Sequence, residues 1–214
     1  MKASLLFIIM MCATVQSLLA QDKTFGLTVY NSYRPATITL TDGRTIKHPL
    51  ANIFLKNSSL VYLSNTGVTM EANMSNILYV KFEDRQYYKV DTLLAYVVGT
   101  VGNDALFCAT VADMQAYQQN LRNSQVFTDI SLGDQLSTTT VDLSNEGDRM
   151  LPLVNIYFYR FGNDADKKYV RCHERTLGRV LGKEKKRMMQ TYLLMPDFSW
   201  TNEKSLLDLL KGLQ

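Results

Sequence analysis

Short runs of apolar or alternating side chains, separated by turn-forming residues, dominate the chain between residues 24 and 98. The clearest turn is Asp42-Gly43, which lies between two runs that alternate polar and apolar residues. Asp-Gly in this position indicates a β-hairpin, because the turn requires residues that tolerate positive φ. Pro49 is expected to end the second strand of this hairpin. Turn signals about every 8–12 residues predict an antiparallel meander, a sandwich or a small barrel.

The pattern changes after residue 104, where strand-like and helical spacings are mixed. Met114, Tyr117 and Leu121 are three and four residues apart, which predicts a short helix with Asp113 as its N-cap. Further strands are expected at residues 105–111, 126–132, 151–161 and 168–172. A polar stretch at residues 133–149 is interpreted as a long surface loop.

From Glu174 to the C-terminus the apolar residues recur at helical spacing, and Thr201 is expected to cap the last helix. The whole pattern predicts an α+β fold, with an antiparallel β-rich body and a helical C-terminal segment. The predicted organisation is a signal peptide at 1–20, an antiparallel β region at 21–104 and a mixed α+β region at 105–214. The last two regions are alternatively one continuous domain.

The first twenty residues have the three-part layout of a secretory signal peptide. Lys2 precedes an apolar run at residues 5–15, and a more polar stretch leads to Ala20, after which cleavage is expected. The run is shorter than the roughly 20 residues that a transmembrane helix needs. Cys12 follows Met11 inside the run, which argues against lipid attachment there. The mature protein is therefore expected to be periplasmic, outer-membrane-associated or extracellular, without a transmembrane span. A retained membrane anchor is the alternative.

Composition and charge narrow the function classes. The chain carries 23 Lys and Arg against 20 Asp and Glu, a net charge of +3. This balance argues against a general nucleic-acid-binding protein. Apolar residues at 46% and charged residues at 20% are typical of a folded protein.

The sequence predicts no catalytic residue, no metal site and no cofactor. It lacks the phosphate-binding loops and the G-x-S-x-G motif, and its two histidines, His48 and His173, are far apart. Two cysteines remain after processing, Cys108 and Cys172. An oxidising compartment would permit a disulfide between them. The alternative is two separate buried thiols, since free cysteine packs as a small hydrophobic residue.

The most concentrated chemical feature is a basic segment at residues 167–187, with nine Lys or Arg and two Glu. Arg175, Arg179 and Lys183 are four apart and would stack on one face of a continuous helix, unless Gly182 breaks that helix. We interpret the segment as a candidate site for an anionic lipid or glycan or an acidic partner; a solvated helix face is the alternative. The candidate anion-binding residues are Lys168, Arg171, Arg175, Arg179, Lys183, Lys186 and Arg187.

Three stretches carry a resemblance to a group of proteins: SLLAQD at 17–22, ITLTDGRTI at 38–46 and FSWTNEKSLLDLL at 198–210. With them, the chain resembles uncharacterised exported periplasmic or envelope proteins of Bacteroidetes-type bacteria. The resemblance implies a compartment and no reaction. Asp91-Thr92-Leu93 also resembles the short O-glycosylation acceptor of such bacteria.

The sequence therefore predicts a non-catalytic binding or structural module of the bacterial envelope. Its expected partner is an envelope protein or an anionic glycan or lipid, and not nucleic acid; no oligomeric state is predicted. One alternative is an envelope hydrolase acting on carbohydrate or peptide, which needs a pocket with converging titratable groups. The other is a carrier of a small apolar ligand, which needs a dry internal cavity.

Overall fold

A single antiparallel sheet organises the protein. The computed structural model describes residues 27–124, 152–162 and 168–214, and ten strands of these ranges join in the order β10-β9-β8-β7-β6-β5-β1-β2-β3-β4. The strands are β1 Arg34–Leu40, β2 Thr45–Phe54, β3 Ser59–Leu63, β4 Thr69–Glu71, β5 Ile77–Lys81, β6 Gln86–Val90, β7 Leu93–Val101, β8 Asp104–Ala112, β9 Leu153–Arg160 and β10 Tyr169–Arg171. The predicted signal peptide at 1–20, strand at 126–132 and loop at 133–149 lie outside the described residues.

Four helices accompany the sheet in the described ranges. They are α1 Met114–Ser124, α2 Glu174–Val180, α3 Lys183–Leu193 and α4 Glu203–Gly212. A short 3₁₀ turn, Met74–Asn76, precedes β5. The sheet is curled into an open half-barrel with α2, α3 and α4 near the C-terminus of the chain, which confirms the predicted α+β, β-rich fold. None of the helices in these ranges has the length and apolar character needed to cross a bilayer.

The tip of the β2–β3 hairpin holds the curl in place. The Leu94 N–H donates to the Ser58 carbonyl over 2.8 Å, and the Ser58 hydroxyl donates back to the Leu94 carbonyl over 2.7 Å. The Ala112 N–H donates to the Leu55 carbonyl over 2.7 Å. These bonds join the tip to β7 and to the end of β8. Strands that are distant in the sheet order therefore face each other across the concave side.

The concave face carries one continuous row of side chains, because directly paired residues on neighbouring strands share a face. From β1 to β9 the row consists of Ile38, Val80, Tyr87, Tyr96, Cys108 and Tyr157. Apolar residues of β1, β2, β3, β5, β6 and β7 pack on each other around the first half of the row. Helices α2, α3 and α4 cover the second half with Leu177, Met189, Leu206, Leu209 and Leu210.

The opposite face has its own smaller cluster around Phe107. Tyr88 and Tyr169 place their rings edge-on to Phe107, with centroids 5.7 and 5.1 Å away. The Arg160 guanidinium lies 5.4 Å from the same ring. Edge-to-face aromatic pairs of this kind add about 0.5–1.5 kcal/mol to area burial. Both faces of β6 to β9 are therefore packed.

Two local predictions are confirmed. Gly43 has a φ of +86°, as the Asp42-Gly43 hairpin turn between β1 and β2 requires. The Asp113 carboxylate accepts from the Ala116 N–H over 2.9 Å and caps α1. Both signals act over two or three residues, and so the sequence alone carries them.

Two other local predictions are wrong. Pro49 does not end its strand, since β2 continues to Phe54. The β1–β2 pairing shifts register between Arg34 and Ala36, and such an irregularity accommodates a residue that has no N–H to donate. Asn202, not Thr201, caps α4, because the Asn202 side chain accepts from the Ser205 N–H over 3.0 Å.

The predicted division at residue 104 falls on the first residue of β8. Strands β7 and β8 pair across it, from Val101 opposite Asp104 to Tyr96 opposite Cys108. The division into two regions stays a prediction.

Candidate functional site

The seven candidate anion-binding side chains are all exposed. Lys168 and Arg171 lie at β10, Arg175 and Arg179 on α2, and Lys183, Lys186 and Arg187 on α3.

The expected continuous helix is broken at Leu181 and Gly182, which are both extended. Only Arg175 and Arg179 therefore stack at four-residue spacing, and Lys183 begins a second helix. The Lys186 side chain returns to α2, since its Cε lies 3.7 Å from where a methyl group on Gly178 would sit. The Lys186 side chain therefore lies beside α2, near its basic residues.

His173 sets the position of α2, a role that the sequence analysis did not identify. Its Nδ1 accepts from the Arg175 N–H over 3.3 Å, and its ring stacks on Trp200 with centroids 6.4 Å apart. The sequence signal for an N-cap is a residue directly before the helix with a side chain that accepts a hydrogen bond. Histidine is an uncommon residue at this position.

Among the described residues, no carboxylate forms an ion pair with the seven candidate cations. In the described part of the chain, ion pairs join Arg34 to Asp84, Arg44 to Asp42 and Lys211 to Asp208. None of the seven basic residues has a described carboxylate oxygen within 4 Å. The cations thus remain available to an external anion.

Exposed apolar side chains adjoin these cations. Leu194, the residue after α3, is 85% exposed, and Met188 and Met195 are also exposed. Leu194 keeps a right-handed helical conformation, so it continues the α3 face that carries Lys183 and Arg187. We call the residues of this region the α2–α3 surface: Arg175, Arg179, Lys183, Lys186, Arg187, Met188, Leu194 and Met195.

Cys108 and Cys172 are buried free thiols, and the predicted disulfide is not formed. Tyr157 on β9 lies between them: it pairs with Cys108, and its carbonyl accepts from the Cys172 N–H over 2.8 Å. Two strand spacings separate the Cα atoms by about 10 Å. A disulfide needs about 7 Å or less.

Both thiols are held in the protonated form. Burial raises the pKa of Cys108 and of Cys172, although hydrogen bonds from tyrosine hydroxyls lower it in part. A protonated thiol is a poor nucleophile and a poor metal ligand. His48 has a structural contact of its own, since its Nδ1 accepts from the Leu50 N–H over 3.2 Å. In the described ranges no three His, Cys, Asp or Glu side chains form a metal-binding group.

Two of the cavities among the described residues bear on a candidate site. The larger, about 640 Å³, is an open groove where β1, β2 and β5 meet, with Lys47 and Lys81 on either side of Thr37. The smaller, about 220 Å³, is partly enclosed on the concave face and is lined by Arg85, Tyr96 and Thr110. We call it the Arg85 cavity. The sequence does not reveal this cavity, because the curl of the sheet brings the cavity walls together from distant strands.

No family model, no curated protein and no solved structure matches this chain.

Proposed function

We propose that the protein is an exported, non-catalytic binding module of the bacterial envelope that attaches to an anionic lipid surface. The observation that carries this proposal is Leu194, which is 85% exposed on the helix face of Lys183 and Arg187. Neither cation has a described carboxylate oxygen within 4 Å. The signal peptide predicted at residues 1–20 and the resemblance to envelope proteins support the proposed compartment. The raised pKa values of Cys108 and Cys172 support a structural role for both thiols.

The combination of residue types favours a lipid surface over a soluble anion. Lys and Arg beside exposed Leu and Met are typical of helices that lie in the membrane interface. Each cation near an anionic bilayer contributes about 1 kcal/mol, and burying one leucine contributes about 1.5–3 kcal/mol. An acidic polysaccharide would be attracted by Arg187 and Lys183 but would gain little from Leu194.

Co-sedimentation with lipid vesicles tests the proposal. The protein is expected to bind vesicles of phosphatidylcholine with phosphatidylglycerol, and to leave pure phosphatidylcholine vesicles unbound. Rising salt is expected to weaken binding, because screening shortens the reach of the charges. Lys183→Gln with Arg187→Gln should weaken binding about 10-fold or more, since two cations are lost. Arg44→Gln, an exposed cation on the β1–β2 turn, is the matched control.

Leu194→Ser tests the apolar part of the contact, and Val68→Ser is its control because Val68 is 56% exposed on another part of the sheet. The proposal predicts weaker binding for Leu194→Ser alone. Equal binding to neutral and anionic vesicles would contradict it. Binding that depends on Lys183 and Arg187 but not on Leu194 would indicate an anionic glycan instead.

A further inference from the structure

The Arg85 cavity lies on the concave face, apart from α2 and α3. It occupies the space between the tip of the β2–β3 hairpin and strands β6, β7 and β8. Its apolar wall consists of Val29, Leu55 and Leu153, and Arg85, Tyr96 and Thr110 form its polar wall. An aromatic and apolar lining with a few convergent polar groups is typical of a small-molecule site.

Arg85 brings a positive charge to this cavity, and no described carboxylate pairs with it. Its guanidinium carbon lies 4.2 Å from the centroid of the Tyr96 ring. The neighbouring carboxylate, Asp84, is already bound by Arg34 over 3.1 Å and by the Tyr30 hydroxyl over 3.1 Å. No carboxylate oxygen of the described residues lies within 4 Å of the Arg85 guanidinium.

A guanidinium stacked on an aromatic ring directs the N–H groups at its edge outward in its own plane. The Tyr87 side chain already shares a hydrogen bond with this guanidinium, which leaves the other N–H groups to donate to a ligand. That geometry matches the two oxygens of a carboxylate. Tyr87 completes the aromatic side of the cavity, with its ring 6.0 Å from Tyr96 and nearly perpendicular to it.

Thr110 supplies the complementary group. Its hydroxyl donates to Asn155 Oδ1 over 2.8 Å, and the Asn155 amide donates in turn to the Tyr157 hydroxyl over 3.4 Å. Because the single proton of Thr110 is used, its oxygen presents lone pairs and accepts a hydrogen bond. Thr110 lies two residues beyond Cys108, the partner of Tyr96, on the same face of the sheet.

We propose that this cavity binds a small hydroxylated carboxylate of the sugar-acid class. Arg85 binds the ligand carboxylate, and Thr110 accepts a hydrogen bond from a ligand hydroxyl. Tyr87 and Tyr96 pack against the ligand ring. The volume of about 220 Å³ lies below the roughly 300–1,000 Å³ of drug-sized sites, which limits the ligand to one ring. The site shares no residue with the α2–α3 surface and goes beyond the lipid-binding proposal.

Isothermal titration calorimetry of the purified protein with glucuronate, and with glucose as the uncharged match, tests the proposal. Glucuronate is expected to bind at one site, and glucose at least about 10-fold more weakly, because the charge-assisted bond to Arg85 is absent. Arg85→Gln should weaken glucuronate binding by about 10- to 100-fold. Arg85→Lys should give an intermediate affinity, since it keeps the charge but not the two-pronged geometry. Arg44→Gln should bind like the wild type.

Thr110→Val keeps the shape of its side chain and tests the second wall. It should weaken glucuronate binding by about 3- to 10-fold. Circular dichroism shows whether each variant folds. If Arg85→Gln does not fold, Thr110→Val still tests the site. Vesicle binding should be unchanged in both variants, which separates failure of this site from failure of the lipid proposal. No heat with glucuronate, gluconate or lactate would overturn the assignment, and so would equal affinities of the wild type and both wall variants.

Discussion

Cys108 and Cys172 lie on the same face of the sheet and are both surrounded by apolar residues, yet one strand keeps them apart. Tyr157 occupies the position between them. The sequence shows two cysteines in strand-like surroundings and permits a bridge. Only the strand order β8-β9-β10 shows that the two residues are not neighbours.

Differential alkylation tests this arrangement. We predict that iodoacetamide labels both Cys108 and Cys172 after unfolding in urea without a reductant, because no disulfide protects them. Labelling of the folded protein should be slow, since both thiols are buried and protonated. Peptide mass spectrometry locates the label. A 108–172 cross-linked peptide in the unreduced digest would refute the prediction.

At the level of elements, two helical glycines differ in what surrounds them. A methyl group on Gly178 of α2 would meet Lys186 Cε at 3.7 Å, an ordinary contact. A methyl group on Gly212 of α4 would lie 2.5 Å from the Tyr192 ring. Gly212 is thus a point of close approach between α4 and Tyr192 of α3, and the absence of a side chain there permits the contact.

The two alanine variants are expected to shift stability in opposite directions. Gly178→Ala should raise the free energy of unfolding by up to about 1 kcal/mol, because alanine has the higher helix propensity. Gly212→Ala should lower it by about 1–3 kcal/mol, because the Tyr192 ring must move. Urea unfolding followed by circular dichroism gives both values. Stabilisation by both substitutions would show that Tyr192 moves aside at little cost.

The sequence predicts the elements that depend on local neighbours and does not predict those that depend on tertiary structure. The Asp42-Gly43 turn and the Asp113 cap depend on neighbours two or three residues away, and both are predicted correctly. The choice between a continuous helix and a break at Gly182 depends on tertiary packing, and the strand through Pro49 depends on strand register; local spacing contains neither. The Arg85 cavity depends on both, since Thr110 and Arg85 meet only after the sheet curls.

At the scale of the whole molecule, the concave face gathers ionisable groups that the folded state keeps neutral. Burial is the main cause that raises the pKa of Cys108, Cys172, Tyr96 and Tyr159, and it raises the pKa of Tyr157 to about 12. In the unfolded chain the pKa of cysteine is about 8.5 and that of tyrosine is about 10. At a pH between the unfolded-state pKa and the raised folded-state pKa of a group, only the unfolded chain releases its proton.

This difference fixes the sign of the pH dependence. The contribution of these groups to stability is fully present below about pH 8.5 and is lost as the pH rises, because ionisation then favours the unfolded chain. Each group that ionises only when unfolded lowers the free energy of unfolding by up to about 1.4 kcal/mol per pH unit. Urea unfolding at pH 7, 8, 9 and 10 should therefore show a decline that begins with the two thiols. Cys108→Ala removes one of these groups and should flatten the decline, even though it lowers stability at pH 7 through the cavity it leaves. A decline as steep as that of the wild type would mean that Cys108 ionises equally in both states, and its burial beside Tyr96 and Tyr157 would then not control the titration.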